Sequence, residues 1–157
     1  CPNCGEREDG AHLCQCPVED RTKLLCDNTD DLESWMNKGG KTNSDIAYWI
    51  PKFIKCRGIK RLQDLGRMSG DMLVLAKGQD LIGFQHFMEG RISTKFWEIQ
   101  SRHLALSDGP MNGTEWTKGF ISRILKITQS HWIYRNVSFH DKQHGYAKRK
   151  RVEGLNH

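Results

Sequence analysis

The sequence has 157 residues, enough for one domain or for one domain with an appendage. Its 24 Lys and Arg residues outnumber 19 Asp and Glu residues, and the formal net charge of +5 leans only weakly towards polyanionic partners. No segment approaches the roughly 20 apolar residues of a membrane span, and the N-terminal segment lacks the apolar stretch of a secretion signal, so we expect an intracellular protein with no membrane partner.

The first sixteen residues, CPNCGEREDGAHLCQC, contain the spacing C-x2-C-x7-H-x3-C. A two-residue gap lets both thiolates of a tight turn face one ion, and Gly5 suits that turn because glycine tolerates positive φ. The spacing predicts a zinc knuckle with four ligands: Cys1, Cys4, His12 and Cys16. Four protein ligands leave no open position, so the predicted zinc is structural. Because the motif starts at the first residue, we expect the chain to be a fragment of a longer reading frame.

Alternatives to this ligand set remain at the sequence level. Cys14 competes with Cys16 as the fourth ligand, although H-x-C leaves little room for both side chains to converge on one ion. An even number of cysteines can also indicate disulfides, but the other signs of secretion are missing. A set of free thiols beside a surface histidine is the simplest alternative. Cys26 and Cys56 are predicted to be small buried residues.

Hydrophobic periodicity predicts helices after the cysteine motif. Asp30 is the predicted N-cap of a short helix with three apolar side chains: Leu32, Trp35 and Met36. The following GGKT, residues 39–42, resembles the end of a phosphate-binding loop but lacks its strand and first glycine, so it is predicted to be a turn. Ser44 is the predicted cap of the next helix, Gly58 its end, and Pro51 should kink or split it.

Three further helices are predicted. Residues 69–90 carry one apolar face made of Leu81, Phe84, Phe87 and Met88. Ser93 is the predicted cap of the next helix, whose shared side contains Phe96, Trp97, Gln100 and Leu104. From Thr114 a long helix carries the strongest stripe of the sequence, formed by Trp116, Phe120, Ile124, Ile127, His131 and Tyr134 and widened by Ile121, Leu125, Thr128 and Trp132. A stripe that broad predicts a helix at the centre of a bundle, with His131 as a buried, hydrogen-bonded residue.

No segment shows the period-two alternation of a β-strand. The predicted fold is therefore mainly α: a small N-terminal zinc knuckle followed by an α-helical bundle. The predicted boundaries are residues 1–27 for the knuckle, 28–140 for the bundle and 141–157 for a basic, disordered tail.

Several blocks of the chain resemble a known family. The opening Cys/His pattern is similar to the zinc-binding segment that follows the polymerase domain in reverse transcriptases of non-LTR retroelements. Three later blocks resemble those that follow such a knuckle in retroelement-derived reading frames of algae and other protists: Ile82-Gly83-Phe84, Gly90-Arg91-Ile92-Ser93 with Trp97, and Trp132-Ile133-Tyr134-Arg135-Asn136 with His140. The resemblance implies a C-terminal region of an element-encoded protein that grips RNA or DNA beside an upstream reverse transcriptase domain.

Catalytic residues are not expected in this chain. The polymerase motif Tyr-x-Asp-Asp and a ribonuclease-type set of carboxylates are both absent from the sequence. Arg135, Asn136 and His140 lie close together on the last predicted helix, but no nucleophile or paired base accompanies them. We therefore expect no enzymatic activity from this region, whatever its parent chain does.

The basic segment near the C-terminus is the predicted nucleic-acid contact. It consists of Lys148, Arg149, Lys150 and Arg151. Lysines and arginines that meet phosphates release counterions, so this segment predicts salt-dependent binding to RNA or DNA without sequence specificity. The same residues could serve as a nuclear import signal, or form only a solvated tail. The competing hypothesis for the whole chain is a zinc-stabilised helical domain that docks on another protein and binds no nucleic acid.

Overall fold

The computed structural model describes residues 1–7 and 12–155, with side chains as far as Asp141. Within these residues it contains seven α-helices, two 3-10 turns and no β-strand. The α-helices are α1 His12–Gln15, α2 Glu19–Asn37, α3 Ser44–Lys55, α4 Gly70–Ile82, α5 Phe84–Met88, α6 Thr94–Ala105 and α7 Gly113–Leu155, and the 3-10 turns are Lys38–Gly40 and Leu62–Asp64. The mainly α fold predicted from the sequence is confirmed. Among the described residues, no helix combines the length and the apolarity needed to cross a membrane.

Helix α7 is the central element of the bundle. It packs against α1, α2, α5 and α6, while α2 also packs against α3 and α4 packs against α5, α6 and the 3-10 turn Leu62–Asp64. The predicted stripe of α7 is buried at Trp116, Phe120, Ile124, Ile127 and His131. Its predicted flank is only partly buried, since Ile121 and Thr128 are half-buried while Leu125 and Trp132 are exposed. The helix therefore buries a narrower face than its sequence pattern predicts.

The core is built around aromatic rings. Phe120 stacks on Trp116 with ring centroids 4.8 Å apart and lies 5.2 Å from Phe96 and 6.2 Å from Phe87. Phe53 from α3 meets Phe87 edge to face at 5.3 Å. Rings in offset or edge contact contribute beyond their buried area. This cluster fixes α3, α5 and α6 around the N-terminal half of α7.

Helix α2 begins earlier than predicted. It starts at Glu19 and passes through Asp30 without interruption, so the predicted cap at Asp30 is wrong. Its buried side is formed by Arg21, Leu25, Thr29, Leu32 and Met36. Two of these five residues, Arg21 and Thr29, are polar. The first half of the helix therefore lacks the regular apolar spacing by which a buried helical face is predicted from sequence. The predicted boundaries at residues 27 and 140 fall inside α2 and α7 and remain predictions.

Helices α3 and α6 test the caps and the break predicted from the sequence. Asn43 rather than Ser44 caps α3, since its Oδ1 accepts hydrogen bonds from the backbone N–H groups of Asp45 and Ile46 at 3.0 and 3.3 Å. Helix α3 continues through Pro51, so the predicted split does not occur. The predicted cap Ser93 is confirmed, because its Oγ accepts from the backbone N–H of Lys95 at 3.2 Å.

The predicted apolar face of residues 81–88 is wrong. Gly83 adopts φ +94° and separates α4 from α5. The break changes the direction of the chain, so Phe87 and Met88 are buried while Leu81 is 91% exposed. The predicted shared side of α6 is likewise incomplete: Phe96, Gln100 and Leu104 are buried, but Trp97 is exposed.

Candidate metal centre

Four side chains converge at the N-terminus. The ligand atoms of Cys1, Cys4, His12 and Cys16 all lie within 4.8 Å of one another. The Sγ atoms of Cys1 and Cys16 are 3.9 Å apart, and the Cys4 Sγ lies 3.2 Å from the His12 Nε2. Thiolates about 2.3 Å and an imidazole about 2.0 Å from a tetrahedral ion would be separated by roughly 3.5 to 3.8 Å. The cluster could therefore hold one metal ion, with the four ligands predicted from the spacing.

Local backbone structure brings these ligands together. Gly5 takes φ +79°, and its N–H donates to the carbonyl of Cys1 at 3.0 Å. This tight turn places Cys1 and Cys4 side by side. His12 is the first residue of α1, and Cys16 directly follows its last residue, Gln15. Residues four apart on a helical turn share a face, so the imidazole and the thiol point the same way.

Cys14 lies outside the cluster. It is buried, and its Sγ faces α7 at 4.0 Å from the Oγ1 of Thr128. Burial raises the pKa of the Cys14 thiol to about 11, which keeps the sulfur protonated. Two residues after His12 on a helical turn, Cys14 points away from the ligand face. This geometry favours Cys16, the ligand that the sequence analysis preferred.

The remaining cysteines take no part in the cluster. All six cysteines are free thiols, so the disulfide alternative does not apply to this structure. Cys26 and Cys56 are half-buried, less enclosed than predicted. Burial, with a further contribution from neighbouring Cys4, raises the pKa of Cys16. A bound divalent cation would reverse this effect, because a coordinated thiol loses its proton.

Arg21 connects the cluster to the bundle. It is almost fully buried, and its Nη1 donates to the Oδ1 of Asn3 at 2.6 Å, between Cys1 and Cys4 in the sequence. Its Nη2 donates to the carbonyl of Leu13 in α1, and its Nε donates to the Nδ1 of His131 in α7 at 3.2 Å. One guanidinium thus joins the cysteine turn, α1 and α7. None of these partners is a carboxylate.

His131 completes this network from α7. Burial, reinforced by the positive charge of Arg21, lowers the pKa of His131 to about 4, so the imidazole is neutral at physiological pH. Its Nδ1 accepts from Arg21, which places the proton on Nε2. Within the described residues that buried Nε2 makes no hydrogen bond. The prediction of a buried histidine is therefore confirmed, but its hydrogen bonding is incomplete.

A second connection runs to α3. Arg57 follows that helix with φ +55° and donates through Nη1 to the carbonyl of Cys16 at 3.4 Å and the Oγ1 of Thr22 at 3.1 Å. The Gln15 side chain donates to the carbonyl of Arg57 at 2.9 Å. Arg21 and Arg57 therefore both contact the segment that carries the ligands. The sequence analysis missed both residues, although the spacing of Arg21 from Leu25 on α2 offered a signal for the first.

The other residues considered in the sequence analysis lie elsewhere. Arg135 places its guanidinium carbon 5.5 Å from the ring centroid of Trp132 and donates to the Asn136 Oδ1 at 3.1 Å, while His140 is exposed next to Phe139. The GGKT segment is a turn in which Gly39 and Gly40 take positive φ. The side chains of the predicted nucleic-acid contact, Lys148–Arg151, lie outside the described side chains.

Comparison with known proteins gives no relative. No protein-family model, no curated protein and no solved structure matches the chain.

Proposed function

We propose that the cluster binds one zinc ion with a structural role. Three thiolates and one imidazole form a soft, tetrahedral donor set typical of structural zinc, and four protein ligands leave no position for water or substrate. Three thiolates around a divalent ion carry a net charge of −1. The buried guanidinium of Arg21 supplies a compensating positive charge, which supports this assignment.

We further propose that the chain is a non-catalytic, nucleic-acid-binding accessory region of a retroelement-derived protein. The observation that carries this proposal is the attachment of the cluster to α7. Arg21 and α1 fasten the cysteine turn to the helix whose backbone continues to Leu155 and which includes Lys148–Arg151. A metal-organised N-terminus would thereby hold the basic helix in a fixed position. The net charge and the blocks that resemble retroelement proteins support the same function, and the basic segment could also direct nuclear import.

Metal analysis combined with nucleic-acid titration tests both parts. Purified protein should contain one zinc per chain and bind labelled single-stranded RNA and duplex DNA less tightly as salt is raised. Cys4→Ser should lose the metal, whereas Cys26→Ser, a cysteine outside the cluster, should retain it. Absence of zinc would contradict the metal assignment, and absence of binding at low salt would contradict the nucleic-acid role.

A second candidate is a protein-docking domain. The distal part of α7 exposes four apolar side chains: Trp132 at 51%, Ile133 at 53%, Val137 at 53% and Phe139 at 38%. Exposed apolar patches of this kind often mark interaction sites. This alternative predicts concentration-dependent association or capture of an upstream polymerase domain, with no salt-sensitive nucleic-acid binding. Trp132→Ser should weaken that association without changing the zinc content.

A further inference from the structure

A groove of about 450 Å³ lies between α2 and α7, away from the cysteine cluster. Its lining includes Asp31, Trp35, Arg123 and Lys126. Most of the lining side chains are polar, and the apolar Leu32 and Ile127 are buried. The sequence analysis assigned no role to this surface.

The groove and its margin carry uncompensated positive charge. Arg123 and Lys126 line it, and Lys41 lies next to Arg123 across the Trp35 ring. Burial, then repulsion from Arg123 and Lys38, lowers the pKa of Lys41. Among the described side chains none of these four cations forms an ion pair, and Asp31 is the only carboxylate in the groove lining. Like charges held together without partners create a site that favours anions.

Trp35 holds two of these cations in place. The Arg123 guanidinium carbon lies 4.3 Å and the Lys41 Nζ 4.2 Å from its ring centroid. The ring also stacks on Trp116 of the core, with centroids 6.0 Å apart. It approaches α7 closely only because residue 119 is glycine, where a Cβ would lie 2.8 Å from the Trp35 Cζ2. Cation–π contacts to a ring fixed in this way orient the cations before any ligand arrives.

The two lining cations also supply hydrogen-bond donors. A guanidinium carries five N–H donors and an ammonium three, and neither group accepts a hydrogen bond. Arg123 and Lys126 therefore present donors to the groove from one helix. The matching ligand is anionic and rich in acceptors, as a phosphodiester is.

The direction of α7 favours a polymeric ligand. Lys126 and the basic segment Lys148–Arg151 lie on the same helix. At about 1.5 Å per residue, roughly 33 Å of helix separates Lys126 from Lys148. A single strand of several nucleotides could contact both positions, whereas a free phosphate could contact one.

We propose that the groove between α2 and α7 binds backbone phosphates of single-stranded nucleic acid through Arg123 and Lys126. This inference rests on the proposed nucleic-acid function and places a second contact surface within the folded bundle. Trp35 is a positioning residue in this site, because it orients Arg123 and Lys41.

Anisotropy titration of a labelled 20-nucleotide oligo(U) tests the proposal with full-length, zinc-loaded protein. The variant Arg123→Gln/Lys126→Gln removes two groove cations, and Arg67→Gln/Lys77→Gln removes one exposed Arg and one exposed Lys next to and on α4. Each single-strand phosphate contact contributes about 0.7 to the slope of log affinity against log salt concentration. Losing two contacts should therefore lower that slope by about 1.4 and raise Kd about 25-fold at 0.1 M salt. The control should change Kd less than threefold.

The outcomes separate this inference from the general function. If the groove variant binds like the wild type while glutamine replacement of Lys148–Arg151 abolishes binding, the groove proposal is wrong and the nucleic-acid function stands. If the wild type binds neither oligo(U) nor duplex DNA at low salt, both are wrong, and if it binds duplex DNA alone, only the groove proposal is wrong. If the groove variant and its control lose the same affinity, the loss reflects only the change in total charge, and the assignment of the groove is wrong. Circular dichroism and the single variant Lys126→Gln, at an exposed position, exclude misfolding as the cause of a loss.

Discussion

Replacing Arg21 by Ala should destabilise the protein and weaken metal binding together. The change deletes a buried guanidinium that joins Asn3, Leu13 and His131. It leaves the Oδ1 of Asn3, the carbonyl of Leu13 and the Nδ1 of His131 without this donor. Because these acceptors belong to three separate segments, no single neighbouring side chain replaces it.

The expected change in the free energy of unfolding is the difference between lost hydrogen bonds and a relieved desolvation cost. Three hydrogen bonds from a charged donor contribute about 2 kcal/mol each, and truncation forfeits all of them. Removing a buried charge also relieves a desolvation cost of several kcal/mol, which offsets part of this loss. We therefore expect the free energy of unfolding to fall by about 3 kcal/mol. Loss of an outer contact to a metal turn commonly weakens metal affinity, here by about 10- to 100-fold.

Urea unfolding of zinc-loaded protein, followed by circular dichroism, measures the first quantity, and competition with a chromophoric chelator measures the second. Arg61→Ala is the matched control, since Arg61 forms an ion pair with Asp64 at 2.8 Å on the surface, where solvent screens the interaction and makes its contribution to stability small. Arg21→Lys retains the charge but cannot reach three acceptors, so it should recover only part of the stability. If Arg21→Ala matched the Arg61→Ala control in both assays, the proposed coupling between cluster and bundle would be refuted.

Three further predictions concern the bundle. Burial and the charge of Arg21 lower the pKa of His131 from 6.5 to about 4. As pH falls, the imidazole therefore takes up a proton in the unfolded chain before it does so in the folded protein. The neutral, buried His131 thus contributes about 3 kcal/mol to stability above pH 6.5, and this contribution is lost as pH falls through 4. Urea titrations should show this loss in the wild type but not in His131→Asn, which keeps an acceptor and does not titrate. Phe120→Ala should lower the free energy of unfolding by about 4 kcal/mol because the side chain is fully buried, whereas Phe139→Ala, partly exposed, should cost less than about 1 kcal/mol; equal losses would contradict the assigned core. Gly58→Ala should lower the melting temperature, because φ +78° and the side chains packed against this glycine leave no room for a Cβ, and an unchanged melting temperature would disprove this packing.

The ligand set and the fold class could be predicted from sequence because both rest on local spacing. Cys1 and Cys4 lie in one turn and His12 and Cys16 on one helical turn, so their positions follow from short stretches of chain. The apolar stripe of α7 likewise repeats with the helical period and marks its buried side. These features need no knowledge of distant residues.

Tertiary structure alone decided which polar residues became structural. Arg21 and His131 are 110 positions apart, and neither is apolar, so no periodicity relates them. The exposure of Leu81 depends on the change of direction at Gly83, and the cation pair around Trp35 depends on the close approach of α2 to Gly119. Burial and pairing across the fold are set by packing between segments, whereas short-range spacing carries information only about neighbouring turns. For this reason the cluster of three cysteines and one histidine could be predicted before the fold was known, and the network that attaches it to the bundle could not.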